Sequence, residues 1–467
     1  MTKAKLDSVR NRLAIATFEA CHIDLLAKGW LFVIGYILKL MNMKTRLLGM
    51  MAILISIFAM TACQKDKADD TWKQLPVGQI SVESGKATIS VNDIPCNYGN
   101  VQLVADSDDA ATLTLTGVVP GYNDVKVSVD LLKKSDDSFA FKGTTIVSTP
   151  PSIVATLRGT DENPCYAFNV DGSITLDGAV KVTVATQVQG DSAPLIGSWS
   201  IVRKSRYIED KCMDPNDLSP IQFKWKISDG LGETLLSRVT YLNHFGNCVL
   251  TEVFDQVTFD ETGNIMARYW PDWGVDDSLA GAFSLFFPPS DGYYNYKPKN
   301  HTDWLESPKA NLAFWYATGN SLFVVPNVAA IIEAADSETV RSDASGMDLT
   351  SIKEILAQLK EFGVDVDALN AELQKILQRG VELKYSLDGD SLRIYVDKAL
   401  CDPIVKALLP ALPKIDVLLE QLVQAENETA RKIKGVMGFL GLEKPSDLAT
   451  LWNATTEFEI ALNFTKA

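Results

Sequence analysis

The chain has 467 residues, 46% of them apolar, and a net charge of −15. Residues 1–62 carry eight basic and three acidic side chains, so the remainder holds a net −20. An acidic body without a basic stripe excludes nucleic acid as a partner and docking on anionic lipid headgroups. The apolar share is enough for sizeable cores and the length for two or three domains.

In chain order, residues 1–42 fit neither a leader nor a folded domain and read as an over-long gene start, with Met41 and Met43 each offering a better one. The alternative is a genuine extension with its own apolar stretch, Trp30 to Leu38. Residues 43–62 read as a signal peptide. Lys44 and Arg46 precede the uncharged run Leu47 to Met60, and the small residues Thr61 and Ala62 follow it. That run is shorter than the ~20 residues of a spanning helix and has the basic, apolar and small-residue order of a secretory signal. Cys63 comes directly after it and makes it resemble a lipoprotein signal. The resemblance implies cleavage before Cys63 and lipid on its thiol, each buried methylene contributing about 0.8 kcal/mol to anchoring in a bilayer. Gln64-Lys-Asp-Lys-Ala-Asp-Asp70 resembles the acidic export signal of Bacteroidetes surface lipoproteins, which implies a tether over 63–76 and exposure on the outer membrane. A solvated polar tether would use the same residues.

From 77 to 190 the pattern is all-β: Lys86 to Val91 and Val125 to Asp130 alternate apolar and polar residues between Gly, Asn and Asp turns, as in a β-sandwich or small barrel. Pro95-Cys96…Asn100-Val101 echoes Pro164-Cys165…Asn169-Val170, and Thr112–Gly117 with Val125–Val129 echoes Ser173–Gly178 with Val180–Val184, so an internal duplication is expected. Cys96–Cys165 and Cys212–Cys248 are the candidate disulfide pairs, which export permits. The mature chain has no CxxC and therefore no zinc knuckle.

Gln189 to Pro194 is a linker by composition. Gly197-Ser-Trp199 is similar to the opening of lipocalins and related calycin barrels, where the tryptophan closes one barrel end. The implied fold for 195–467 is a calycin-like antiparallel β-barrel or sheet. Val257–Phe259 turning through Asp260–Asn264 into Ile265–Tyr269, and Leu312–Tyr316 turning through Thr318–Asn320 into Ser321–Val325, are hairpins of it. Two helical insertions interrupt it, at about 327–378 and 402–440, making the whole mainly β with α insertions, an α+β chain. The first carries a Ser351-x-x-Glu354 capping box, then Leu369, Leu373, Ile376 and Leu377 at helical spacing; Pro410 and Pro413 break the second. A hairpin around Asp388-Gly389 separates them, and Phe458, Ile460, Leu462 and Phe464 alternate on a closing strand.

After Cys63 only His244 and His301 remain, and no HExxH, GxSxG or P-loop occurs, so no metal, no cofactor and no Ser-His-Asp chemistry is expected. The most distinctive stretch is 268–316. Trp270, Trp273, Tyr293, Tyr294, Tyr296 and Trp304 stand there among Pro, Gly, Asn and Asp, as rings that stack on a sugar or enclose an apolar ligand do. Core filling or loop pinning is the competing use, and the one expected of Trp315 and Tyr316. The reading is a non-catalytic, lipid-anchored surface protein that binds a glycan or a small amphiphile. The rivals are a glycan-active enzyme with a carboxylate pair among Asp272, Asp276, Asp277 and Asp303, which needs two acids about 5–10 Å apart, and a structural subunit with an outer-membrane protein partner.

Overall fold

The structure, a computed structural model, describes residues 70–134, 137–148, 164–202, 207–208, 211–212, 220–228, 230, 232–271, 302–331, 359–361 and 363–467. It is mostly β: two curled half-barrel sheets with helices attached to the second.

The first sheet holds β1 (Ile80–Ser81), β2 (Ala87–Val91), β3 (Ile94–Cys96), β4 (Asn100–Ala105), β5 (Ala110–Thr116), β6 (Asp124–Lys133), β7 (Ser138–Ser148), β8 (Pro164–Thr175) and β9 (Val180–Val188), in the order β1-β4-β5-β6-β7-β8-β9-β2-β3. Among its described strands only β2 and β9 pair in parallel. Strict alternation builds its inner face: Val125, Val127, Val129 and Leu131 of β6 and Val180, Val182, Val184 and Val188 of β9 are all buried. The sheet is curled, and Val82 N–H donating to the Gly99 carbonyl extends the β1–β4 pairing by one rung.

In the expected duplication, Thr112–Gly117 with Val125–Val129 and Ser173–Gly178 with Val180–Val184 each make a hairpin, β5–β6 and β8–β9, but the proline–cysteine segment is placed differently in the two copies. Its first copy is two strands, β3 and β4, split by a turn in which Gly99 takes φ +94°. Its second copy lies inside the single strand β8, where Tyr166, Phe168 and Val170 alternate into the core. The shared residues form a turn only where glycine permits the left-handed backbone. Cys96 and Cys165 are both buried and are not joined by a disulfide, so the first candidate pair is corrected. Of Cys212 and Cys248 the side chains lie outside the described residues.

Gln189–Pro194 is not a loose linker. Residues Gly190–Leu195 form a 3-10 turn that bonds to the second sheet, Ser192 Oγ accepting from Ala317 N–H at 2.8 Å and Asp191 from Gly319 N–H at 2.7 Å.

The second sheet begins with β10 (Gly197–Ile201). After the small ladder of β11 (Tyr207–Ile208) and β12 (Lys211–Cys212) come β13 (Ile221–Ile227), β14 (Phe254–Phe259), β15 (Ile265–Tyr269), β16 (Leu305–Glu306), β17 (Ala313–Thr318), β18 (Ser321–Pro326), β19 (Val381–Asp388), β20 (Ser391–Asp397) and β21 (Thr455–Lys466). Its order is β16-β15-β14-β10-β21-β20-β19-β18-β17, with β13 on the first part of β21. The last strand thus pairs with the first, and the β17 edge returns to the β14–β15 turn through the bridge Asn264–Phe314 and a 2.9 Å bond from Trp315 N–H to Gly263 O. Followed through paired positions from Ala267 round to β17 and back over that bridge, the register returns displaced by roughly a dozen residues, the stagger that tilted strands require to close.

Helices occupy the breaks in this meander: α1 (Glu233–Val253) between β13 and β14, α2 (Val366–Arg379) between β18 and β19, and α3 (Lys398–Leu408), α4 (Leu412–Gln424), α5 (Glu428–Phe439) and α6 (Asp447–Ala454) between β20 and β21. Asp365, Asp397 and Asn427 cap α2, α3 and α5 with side-chain oxygens. Pro413 sits in the first turn of α4, where its missing N–H has no partner to lose. The Ser351–Glu354 capping box lies outside the described residues. The sequence reading passes over α1, although Leu235, Val239, Leu242, Val249 and Val253 recur at helical spacing; its β-branched and aromatic content masks the period. Helix α1 crosses the inner face of β13 so closely that a Cβ on Gly246 would come within 2.8 Å of Ile221 Cγ2.

Candidate functional site

The paired registers decide which side chains face the inside of the second sheet. Trp199, Val257, Phe259, Ile265, Ala267, Trp315, Leu322, Val324, Val381, Leu383, Leu392, Ile394, Val396, Ile460, Leu462 and Phe464 share one face by alternation. At the end where β10 begins, Trp199, Phe259, Leu322, Leu392 and Phe464 are buried and fill the interior. Trp199 Nε1 donates to Leu195 O at 2.8 Å, and Lys466 Nζ stands 5.8 Å from its ring centroid. Toward the opposite end Ala267, Val324, Val381, Ile460 and Leu462 face the same interior yet remain only partly buried. The inner wall is therefore apolar and mostly buried, Ile201, Phe254, Tyr269, Val396 and Phe458 included, with partial access at a few positions.

The sequence-predicted aromatics divide. Tyr269 enters the core, 1% exposed. Trp270 and Trp304 are partly buried, and the ladder that pairs Arg268 with Glu306 and Tyr269 with Leu305 sets them opposite each other one step on. Alternation puts both on the outer face with Arg268 and Glu306, not in the interior. Arg268 Nη1 is 3.2 Å from Asp255 Oδ2, and its Nε is 3.7 Å from Glu306 Oε1, half-exposed pairs of small energetic weight. Trp273, Tyr293, Tyr294 and Tyr296 lie outside the described residues, as do Cys63, Asp272, Asp276, Asp277 and His301. Asp303 is exposed. His244 is in α1, its side chain outside the described set. Trp315 and Tyr316 are fully buried, as a core role requires. Among the described residues no cluster of His, Cys, Asp and Glu could hold a metal ion.

No protein family, no curated protein and no solved structure matches this chain. The site is defined by its own geometry alone.

What the sequence reading missed is the joint between the two sheets. Tyr166 of β8 sits at the end of the first half-barrel with its ring 6.5 Å from Phe314 and 6.4 Å from Tyr316, and its hydroxyl donates to Trp315 O. Tyr122 packs edge-on against it at 6.5 Å and donates to Ser148 O at 2.8 Å. Burial pushes the hydroxyls of Tyr122, Tyr166 and Tyr316 well above the usual tyrosine range, the nearby Cys165 adding to it. Around this aromatic centre runs a polar belt. Asn311 Nδ2 donates to Val91 O at 2.8 Å, and Asn264 Nδ2 to Asn311 Oδ1 at 2.9 Å. Asn327 Nδ2 donates to Tyr98 Oη at 2.6 Å, and Val188 N–H to Glu261 O at 2.9 Å. Burial alone would raise the Asp260 carboxyl, but Lys309 at 2.8 Å and the Thr262 donors outweigh it and hold it below the usual range. The only forward signal for this joint is the turn Asp260-Glu-Thr-Gly-Asn264, which reads as a hairpin and says nothing of what it touches.

Proposed function

We propose that the chain is an exported lipoprotein, held on the outer membrane by lipid on Cys63, whose second half-barrel binds a small amphiphile in a calycin-like interior. The observation that carries the reading is the inner wall, lined mainly by apolar side chains and only partly buried at Ala267, Val324, Val381, Ile460 and Leu462. Eight-stranded up-and-down barrels hold a single small ligand in an interior of this kind. The meander in which β21 returns to β10, its stagger, and the tryptophan after Gly197 support the calycin-like assignment.

The test is titration with a fluorescent fatty acyl probe. Saturable binding is expected, weakened more than about tenfold, or about 1.4 kcal/mol, by Val381→Glu, which sets a charge on the accessible wall. Failure of the wild type to bind the probe would overturn the reading. Anchoring is tested separately: Cys63→Ser should leave the membrane fraction or remain uncut. A second reading, glycan binding, is favoured by the facing pair Trp270 and Trp304 alone, and binding on a glycan array that is lost in Trp304→Ala would select it.

A further inference from the structure

We infer that the first half-barrel is a rigid spacer, which holds the second half-barrel at the end of the molecule remote from the N-terminal tether. The two ends of the first sheet make different contacts. At one end the chain arrives: Trp72 and Leu75 pack on its core, Thr71 Oγ1 accepts from Lys133 Nζ at 3.0 Å, and Pro76 lies against the β8–β9 turn, 3.4 Å from where a Cβ on Gly178 would be. Lys86 Nζ closes the same end on Asp177 O at 3.0 Å. At the other end stand Asn92, Tyr98, Tyr166 and Val188, and all four contact the second sheet or its turns.

Strand β8 runs from one end to the other, its last residue Thr175 beside the tether and Tyr166 in the joint. At ~3.3 Å per residue the stretch from Tyr166 to Thr175 covers about 30 Å, or a little over about 20 Å along the axis once tilted as barrel strands are. Everything on the second sheet, the accessible wall included, thus lies a half-barrel's length from residue 70.

The joint has the features of a fixed connection, not a hinge. Its connecting segment is the bonded 3-10 turn Gly190–Leu195, with Ser192 fully buried. The buried residues of both sheets form one continuous apolar cluster through Tyr166, Phe314 and Tyr316. The belt around it pairs Asn92 with Thr186 and Thr262, and Asn311 with Val91 and Asn264. Relative motion would break several of these bonds together in a setting where unpaired polar groups are costly.

The biological meaning rests on the proposed anchoring at Cys63; the rigidity does not. Spin labels carried on non-natural residues at Asp177 and Asp388, both exposed, read the separation of the first sheet's tether end from the second sheet. One narrow distance distribution is expected, broadened by Asn311→Ala combined with Thr186→Val, which removes the hydroxyl that donates to Thr262 O. A broad or bimodal distribution in the unmodified joint would overturn the spacer. On vesicles bearing a headgroup quencher, the lipidated chain should lose fluorescence from a label at Asp177 and keep it at Asp388. Equal quenching at both positions would also overturn the proposal. Failure to bind vesicles at all would refute the anchor, and the label distances would still decide the spacer.

Discussion

Gly263 offers the sharpest test of the joint. It takes φ +89°, and a Cβ built on it would stand 2.8 Å from Tyr166 Cε1, 3.0 Å from Tyr166 Oη and 3.1 Å from Phe314 Cδ1. Gly263→Ala therefore meets two costs. The left-handed backbone costs about 1–2 kcal/mol for a residue with a Cβ. Overpacking against buried rings adds about 1–3 kcal/mol, because neither Tyr166 nor Phe314 has space to retreat. Gly389, in the β19–β20 turn, has φ +56° and nothing within 4 Å of its Cβ, so Gly389→Ala meets the first cost alone. Urea unfolding of the two variants isolates the contact: Gly263→Ala should be the more destabilised by about 1–3 kcal/mol. Equal losses, within about 0.5 kcal/mol, would mean that the β14–β15 turn is not pressed on Tyr166 and that the joint is looser than described.

Asn311→Ala should cost about 2–4 kcal/mol in the same assay, since it strands the Asn264 amide and the Val91 carbonyl in a buried setting; a loss under 1 kcal/mol would count against the belt. Tyr122, Tyr166 and Tyr316 are neutral in the fold with raised pKa, whereas an unfolded tyrosine ionises near ~10. Their contribution to stability is full below that pH and falls as pH rises above it, so ultraviolet titration should show these phenolates appearing only with alkaline unfolding, not before it. Trp270→Ala and Trp304→Ala should each cost less than the ~3–5 kcal/mol of an enclosed aromatic, as neither ring is fully buried; thermal melting beside ligand titration separates a binding role from a packing one.

Period-2 alternation is a property of the strand itself, so most of the β-architecture was legible along the chain. Val125 to Leu131 and Phe458 to Phe464 announce both their strands and their inner faces. Asp388-Gly389 announces the hairpin between β19 and β20, and Pro410 and Pro413 the interruption between α3 and α4. Helix α1 was legible too and went unread. The residue-by-residue likeness of 95–101 to 164–170 misled, because a turn and a strand can share side chains and differ only in backbone dihedrals.

What no local pattern contains is which inner faces are closed. Val324 and Leu322 alternate identically on β18, yet one is partly accessible and the other buried, since the difference arises from strands remote in sequence. The same holds for Tyr166: its neighbours Phe314 and Tyr316 belong to another sheet, and only the closing of that sheet over the β14–β15 turn brings them together. Strand periods and hairpin turns are short-range and so were determined by the sequence read alone. The accessible wall and the joint depend on long-range pairing and burial, which only the tertiary structure decides.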